Sequence, residues 1–77
     1  MRDMEFRLLG DYVELNQLLK LAGVCASGGA GKLRVAAGEV SVDGQVELRK
    51  TCKIRVGQVV RVDDLHIRVV GRGADGP

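Results

Sequence analysis

Aromatic side chains are almost absent from this sequence of 77 residues: Phe6 and Tyr12 are the only two, and there is no tryptophan. That scarcity excludes a surface on which successive bases of a single strand stack on several rings. A nucleic acid, if held at all, has to be held through its phosphates, its backbone and its shape. Metal ligands are equally scarce. Cys25, Cys52 and His66 are the only cysteines and histidine, and no C-x-x-C occurs. A structural zinc site usually takes four such ligands, so three argue against one. In a reducing compartment the two cysteines are expected as free thiols. Cys52 lies among basic residues, a setting that favours its thiolate.

Long apolar runs are also missing. Runs such as Val69-Val70, and even the longest, Val24–Ala26 and Val35–Ala37, are far short of the roughly 20 residues that a membrane span needs. Nothing resembles a secretory signal, so the cytosol is the expected location. No nucleophile or paired carboxylate accompanies His66, which reads as a structural residue rather than a catalyst. Asp63-Asp64 reads as a turn, because a metal site would need more oxygen ligands. Gly28-Gly29 beside Ser27 suggests a phosphate-cradling loop, but Gly31-Lys32 is followed by Leu33 and not by Ser or Thr, which excludes a nucleotide-hydrolysing P-loop.

What remains is a small globular domain. The apolar fraction of 45% and charged fraction of 29% are values of folded proteins. A chain of this length is one domain, here residues 1–70, and buries only about 60% of its unfolded surface. The glycine-rich end, residues 71–77, reads as a flexible tail. The net charge of +2 hides a polarised molecule. Between Ser27 and Arg55 there are six basic residues (Lys32, Arg34, Arg49, Lys50, Lys53, Arg55) against three acids (Glu39, Asp43, Glu47). Elsewhere acids exceed bases by one. Polarised basic surface on a small domain points to a polyanion.

Alternation over Met4–Leu8 predicts a strand. Leu15, Leu18, Leu19 and Ala22 make the apolar stripe of a helix over Val13–Ala22, and Gly23 ends it. Ser27 is the expected N-cap of a second helix, Gly28–Ala37, closed by Gly38. On that helix Gly28, Gly31 and Val35 share one side, suited to close contact with the first helix. Ala30, Leu33 and Ala37 share the other, suited to a sheet, with Lys32 near the border. Asp43-Gly44 between alternating apolar residues predicts a hairpin, since both turn positions need positive φ. A basic loop follows Leu48. Ile54 and Val56 resume alternation, Gly57 turns the chain, and Val60 and Val62 continue. Leu65, Ile67 and Val69 are the inner face of a last strand. The expected class is α+β: a two-helix hairpin packed on a small antiparallel β-sheet.

This order of elements resembles the RNA-binding domain first seen in small-subunit ribosomal protein S-four, the alpha-L motif. The resemblance covers about residues 13 to 62. It is carried by Leu15-Asn16, Leu18-Leu19, Gly23, Ser27, Val35, the run from Gly38 through Val40 and Val42 to Asp43-Gly44, and Val56-Gly57 before Val60 and Val62. Within the family the sequence is similar to the short, stand-alone YbcJ type, through Val13–Leu15, Leu18–Leu21, Ala30–Lys32, Glu47, Arg49-Lys50, Cys52–Ile54 and Gly57-Gln58. The resemblance implies an alpha-L fold and a non-catalytic module, needing no cofactor or metal, that grips the phosphate backbone of structured RNA, ribosomal or transfer RNA. It implies RNA contact by Ser27, Lys32, Arg49, Lys50 and Lys53. Arg49 suits two-bonded contact with phosphate, and the lysines act as point charges. Arg34, Thr51 and Arg55 form a second rank, because exposed arginines also make surface pairs worth about 0–1 kcal/mol. The chain departs from the family's common pattern at Glu14 and Gly28, where arginines are usual, and at Gln58, where Asp is usual. The expected molecule is a monomer that makes no membrane contact and meets RNA, on the ribosome or free of it. The rival reading is a ribosome-associated interaction or assembly factor that docks an acidic protein surface.

Overall fold

The computed structural model describes residues 2–71. Seven strands and two helices follow in chain order: β1 (Arg2–Leu8), β2 (Val13–Glu14), α1 (Leu15–Leu21), α2 (Gly28–Ala36), β3 (Val40–Val42), β4 (Gln45–Val46), β5 (Lys53–Ile54), β6 (Val59–Val62) and β7 (Leu65–Gly71). The main sheet has five strands in the order β1-β7-β6-β3-β4, and β2 and β5 make a separate antiparallel ribbon.

The α+β class and the helical hairpin agree with the sequence pattern. The expectation of a purely antiparallel sheet does not hold. β1 lies parallel to β7, with Arg2 opposite Leu65 and Leu8 opposite Gly71, so the sheet is mixed. Alternation reports which face a residue takes, not the direction of its neighbour. Parallel neighbours need a long connection, and here both helices lie within it. Gly71, assigned to the tail by composition, closes β7; residues 72–77 lie outside the described residues. The first helix is also shorter than its pattern. Val13 and Glu14 are extended and pair with Ile54 and Lys53, which takes β5 out of the main sheet.

Turn chemistry is realised where glycine or a short polar residue demands it. Asp43 (φ 51°) and Gly44 (φ 87°) both adopt positive φ in a two-residue turn that sets Val42 opposite Gln45. Ser27 caps α2 by accepting a hydrogen bond from the Ala30 N–H at 3.1 Å. Such a cap contributes about 1 kcal/mol.

The core is a single layer between helix and sheet. α1 supplies Leu15, Leu18 and Leu19, and α2 supplies Val35, all fully buried. Facing them are Val40, Ile54, Val60, Val62, Ile67 and Val69. Each fully buried side chain of this kind stabilises by about 1.5–3 kcal/mol. α2 approaches α1 through glycine: a Cβ on Gly31 would stand 2.6 Å from the Asn16 carbonyl oxygen. The other side of α2 does not lie on the sheet as its wheel suggests, since Leu33 is 74% exposed. One buried valine and a glycine contact suffice to seat this short helix, so its second apolar side is left in solvent.

Candidate nucleic-acid interface

The basic loop is built by the start of α1. A helix leaves its first N–H groups without intrahelical partners, and Glu14 at the N-cap makes no side-chain bond to them. The loop carbonyls do this instead. The Leu15 N–H donates to the Cys52 oxygen at 2.8 Å and the Asn16 N–H to the Lys50 oxygen at 3.1 Å. Pairing of β5 with β2 holds the far end of the loop. Residues 50–54 are therefore fixed by backbone bonds while their charged side chains stay outside.

Asn16 joins this loop to α2. It is 2% exposed, and its amide nitrogen donates to the Gly28 carbonyl at 3.4 Å. One buried residue thus touches both the Lys50 backbone and the first residue of α2. Ser27 at the head of α2 and Lys50 in the loop, 23 residues apart in sequence, are brought to the two sides of Asn16. Sequence patterning marks Asn16 only as part of a resemblance. The available signal is a polar residue inside an apolar helical stripe.

The candidate side chains take different roles. Lys32, Lys50, Thr51 and Lys53 are exposed, and among the described residues none of these lysines makes an ion pair. Arg49 is engaged. Its Nε donates to Glu47 Oε2 at 2.9 Å and its Nη2 to Oε1 at 3.0 Å, and its backbone N–H donates to Oε2 at 2.9 Å. Side-chain and backbone bonds from Arg49 bring the Glu47 carboxyl from 4.5 down to about 2, and the same pair raises the guanidinium further. The two-pronged edge suited to a phosphate is occupied by Glu47. Arg34 is engaged elsewhere, with Glu39 and, at 2.8 Å, with Asp63. It ties the end of α2 to the β6–β7 turn. Arg55 donates to the Asp11 carbonyl at 3.4 Å.

Sequence reasoning passed over Tyr12. Its ring lies 4.9 Å from Lys53 Nζ and 5.7 Å from the Arg55 guanidinium carbon, and it is 43% exposed. The ring holds two cations close together by cation–π attraction, about 0.5–1 kcal/mol each at exposed sites. A lone tyrosine 41 residues before Lys53 carries no sequence signal for that contact.

Cys52 also departs from expectation. Burial, and then the Glu47 carboxylate, push its thiol up in spite of Arg49, opposite to the direction its basic neighbours suggest. Cys25 and Cys52 are both free. His66 sits 3.5 Å from Asp3 across the β1–β7 pair.

Two hollows flank the loop. One, of about 450 Å³, is lined by Arg49, Thr51, Cys52 and Lys53, with no carboxylate on its wall. The other, of about 440 Å³, lies toward the β3–β4 hairpin and shares Arg49, Cys52 and Lys53, but is also bounded by Asp43 and Glu47.

A family model described as the S4 domain matches residues 6–70. The protein YbcJ of Escherichia coli (strain K12), named as a candidate RNA-binding protein, is 49% identical over 59 residues, 77% of this chain and 84% of its own length. YbcJ of Shigella flexneri, whose name gives no function, is likewise 49% identical over 59 residues. The solution structure of YbcJ from E. coli, described as an alpha-L motif involved in RNA binding, matches with a TM-score of 0.67 at 46% identity. It covers 86% of this chain and 85% of that one.

Proposed function

This chain belongs to the S4 domain family, and from that premise we propose that it is a non-catalytic module gripping the phosphate backbone of structured RNA, ribosomal or transfer RNA, in the cytosol. The observation that carries the reading is the loop after Leu48. Lys50 and Lys53 project, without ion-pair partners among the described residues, from backbone locked onto the start of α1. The head of α2 stands beside them through Asn16. The carboxylate-free hollow along Thr51 is where a phosphate meets positive charge without opposing acid. Lys32 extends the positive surface along α2, and Arg55, held by Tyr12, extends it past Lys53. Arg49 contributes charge that Glu47 offsets. Arg34 has no part in the grip.

Because the contact is with phosphates, affinity for fully paired RNA is expected to depend on salt and little on sequence. With about four phosphates neutralised, log K against log salt has a slope near −3 to −4 on duplex RNA. Alanine at Arg49, Lys50 or Lys53 is expected to weaken binding to all sequences alike. Unchanged affinity and slope across the three variants would overturn this assignment.

The exposure of Leu33 at 74% on the same helix supports a second reading, docking on a protein of the ribosome with RNA contact secondary. Treating a lysate with RNase before capturing the tagged protein separates the two: partners that depend on RNA disappear, and a protein partner stays.

A further inference from the structure

We propose that the cleft between the β3–β4 hairpin and the basic loop receives the unpaired base of a bulged nucleotide, and that guanine is the base it fits. The inference rests on the RNA reading above and deepens it.

The two hollows that share Arg49, Cys52 and Lys53 are opposite in character. The one beside Thr51 has positive charge and no acid. The cleft toward the hairpin has two carboxylates, Asp43 and Glu47, on its wall. There Arg49 and Lys53 offset the two carboxylates, so a phosphate gains less than beside Thr51, whereas a neutral group carrying N–H donors finds acceptors. Charge thus sorts the two halves of one nucleotide, phosphate on the loop side and base on the hairpin side. A volume of about 440 Å³ falls within the roughly 300–1,000 Å³ of small-molecule clefts.

The acceptors are held in place before any ligand arrives. Asp43 Oδ1 accepts from the Val59 N–H at 2.9 Å, and Oδ2 accepts from Gln58 Nε2 at 3.3 Å. Glu47 Oε1 accepts one bond from Arg49, and Oε2 accepts two. A carboxylate oxygen can accept two, so both Asp43 oxygens and Glu47 Oε1 each retain one acceptor position. Guanine presents adjacent donors on its Watson–Crick edge, the N1–H and the exocyclic amino group, and these match the paired Asp43 oxygens, with Glu47 Oε1 a single further acceptor. Uracil presents one N–H between two carbonyl oxygens, which a carboxylate repels. Val42 and Val46 supply apolar wall for the face of the base. Val46 is 60% exposed on an edge strand, and an inserted base would cover it. In duplex RNA the Watson–Crick edge is already paired, so only an unpaired nucleotide can make this contact.

The experiment uses the full chain and three hairpin RNAs differing at one position: fully paired, one bulged G, or one bulged U. Fluorescence anisotropy gives the affinities. A carboxylate–base pair discriminates by about 1–3 kcal/mol, so wild type is expected to bind bulged G about 5- to 150-fold more tightly than bulged U. In Asp43→Asn that ratio falls toward one, while the fully paired hairpin binds at least as tightly as to wild type, because a negative charge beside the loop has gone. Retained binding of the paired hairpin also reports a folded variant. Asn tolerates the positive φ of that turn; if Asp43→Asn nevertheless fails to fold, Glu47→Gln, which weakens the third acceptor, is expected to lower the ratio in part. Equal affinity of wild type for bulged G and bulged U overturns the base cleft, as does a ratio unchanged in both variants. Equal binding of all three RNAs leaves the phosphate grip standing and removes only the cleft, whereas binding of none removes both.

Discussion

Replacing Gly31 by alanine puts the helix contact that seats α2 to a direct test. In an ordinary helix interior the change would stabilise by about 0.8–1 kcal/mol, because alanine has the higher helix propensity. Here the new Cβ would stand 2.6 Å from the Asn16 carbonyl oxygen, 3.2 Å from its Cα and 3.3 Å from its carbonyl carbon. All three are backbone atoms of α1 and cannot rotate aside, so the helices must separate. Overpacking of this kind costs typically about 1–3 kcal/mol. Set against the propensity gain, the net expectation is a loss of about 1 kcal/mol, which lowers Tm by about 4–8 °C in a domain of this size. Gly29→Ala is the matched control. Its Cβ would find only Ser27 Oγ, at 3.8 Å, so the propensity gain stands and the variant should be no less stable than wild type. Urea unfolding followed by far-UV circular dichroism measures both. A Gly31→Ala protein as stable as wild type would refute the close approach.

Other consequences can be checked with the same unfolding assay and with RNA titration. Ser27→Ala removes the cap on Ala30 and should lower stability by about 0.5–2 kcal/mol. Glu47 is held down from 4.5 to about 2 by Arg49, so its stabilisation is fully present above about pH 4.5 and is lost as pH falls toward 2. Wild type should therefore exceed Glu47→Gln in urea midpoint at pH 6, with the gap closing between about pH 4.5 and 2; a gap independent of pH would contradict the ion pair. Arg34→Ala breaks the links to Glu39 and Asp63 and should cost stability on the surface-pair scale of about 0–1 kcal/mol each, while leaving the salt dependence of RNA binding unchanged.

Much of the fold is legible in the sequence because the core is encoded by periodicity. Leu15, Leu18 and Leu19, with Val40, Val42, Val60, Val62, Ile67 and Val69, are buried as their spacing requires, whereas Val46 and Val56 alternate in the same way and stay exposed. Ser27, Gly23, Gly38 and Asp43-Gly44 mark their caps and turns because each needs a particular dihedral or acceptor. The parallel partner of β1 is not legible, since alternation is the same for either direction. Nor is the shortening of α1, because Val13 and Glu14 pair with Ile54 and Lys53, partners far along the chain that helical periodicity does not reveal. In the site, charge density points to the loop, but pairing decides which cations are available. Glu47 and Arg49 are two residues apart in an irregular segment, where no helix or strand period predicts contact. Arg34 meets Asp63 across 29 residues. Asn16 and Tyr12 act through tertiary neighbours that a linear reading cannot supply.

The phosphate grip is tested most directly by the salt dependence of binding to a structured RNA, wild type against Lys50→Ala. The account predicts a wild-type slope of log K against log salt near −3 to −4, and a slope shallower by about one unit, with weaker binding at every sequence tried, for the variant. Equal slopes and equal affinities for the two proteins would contradict it.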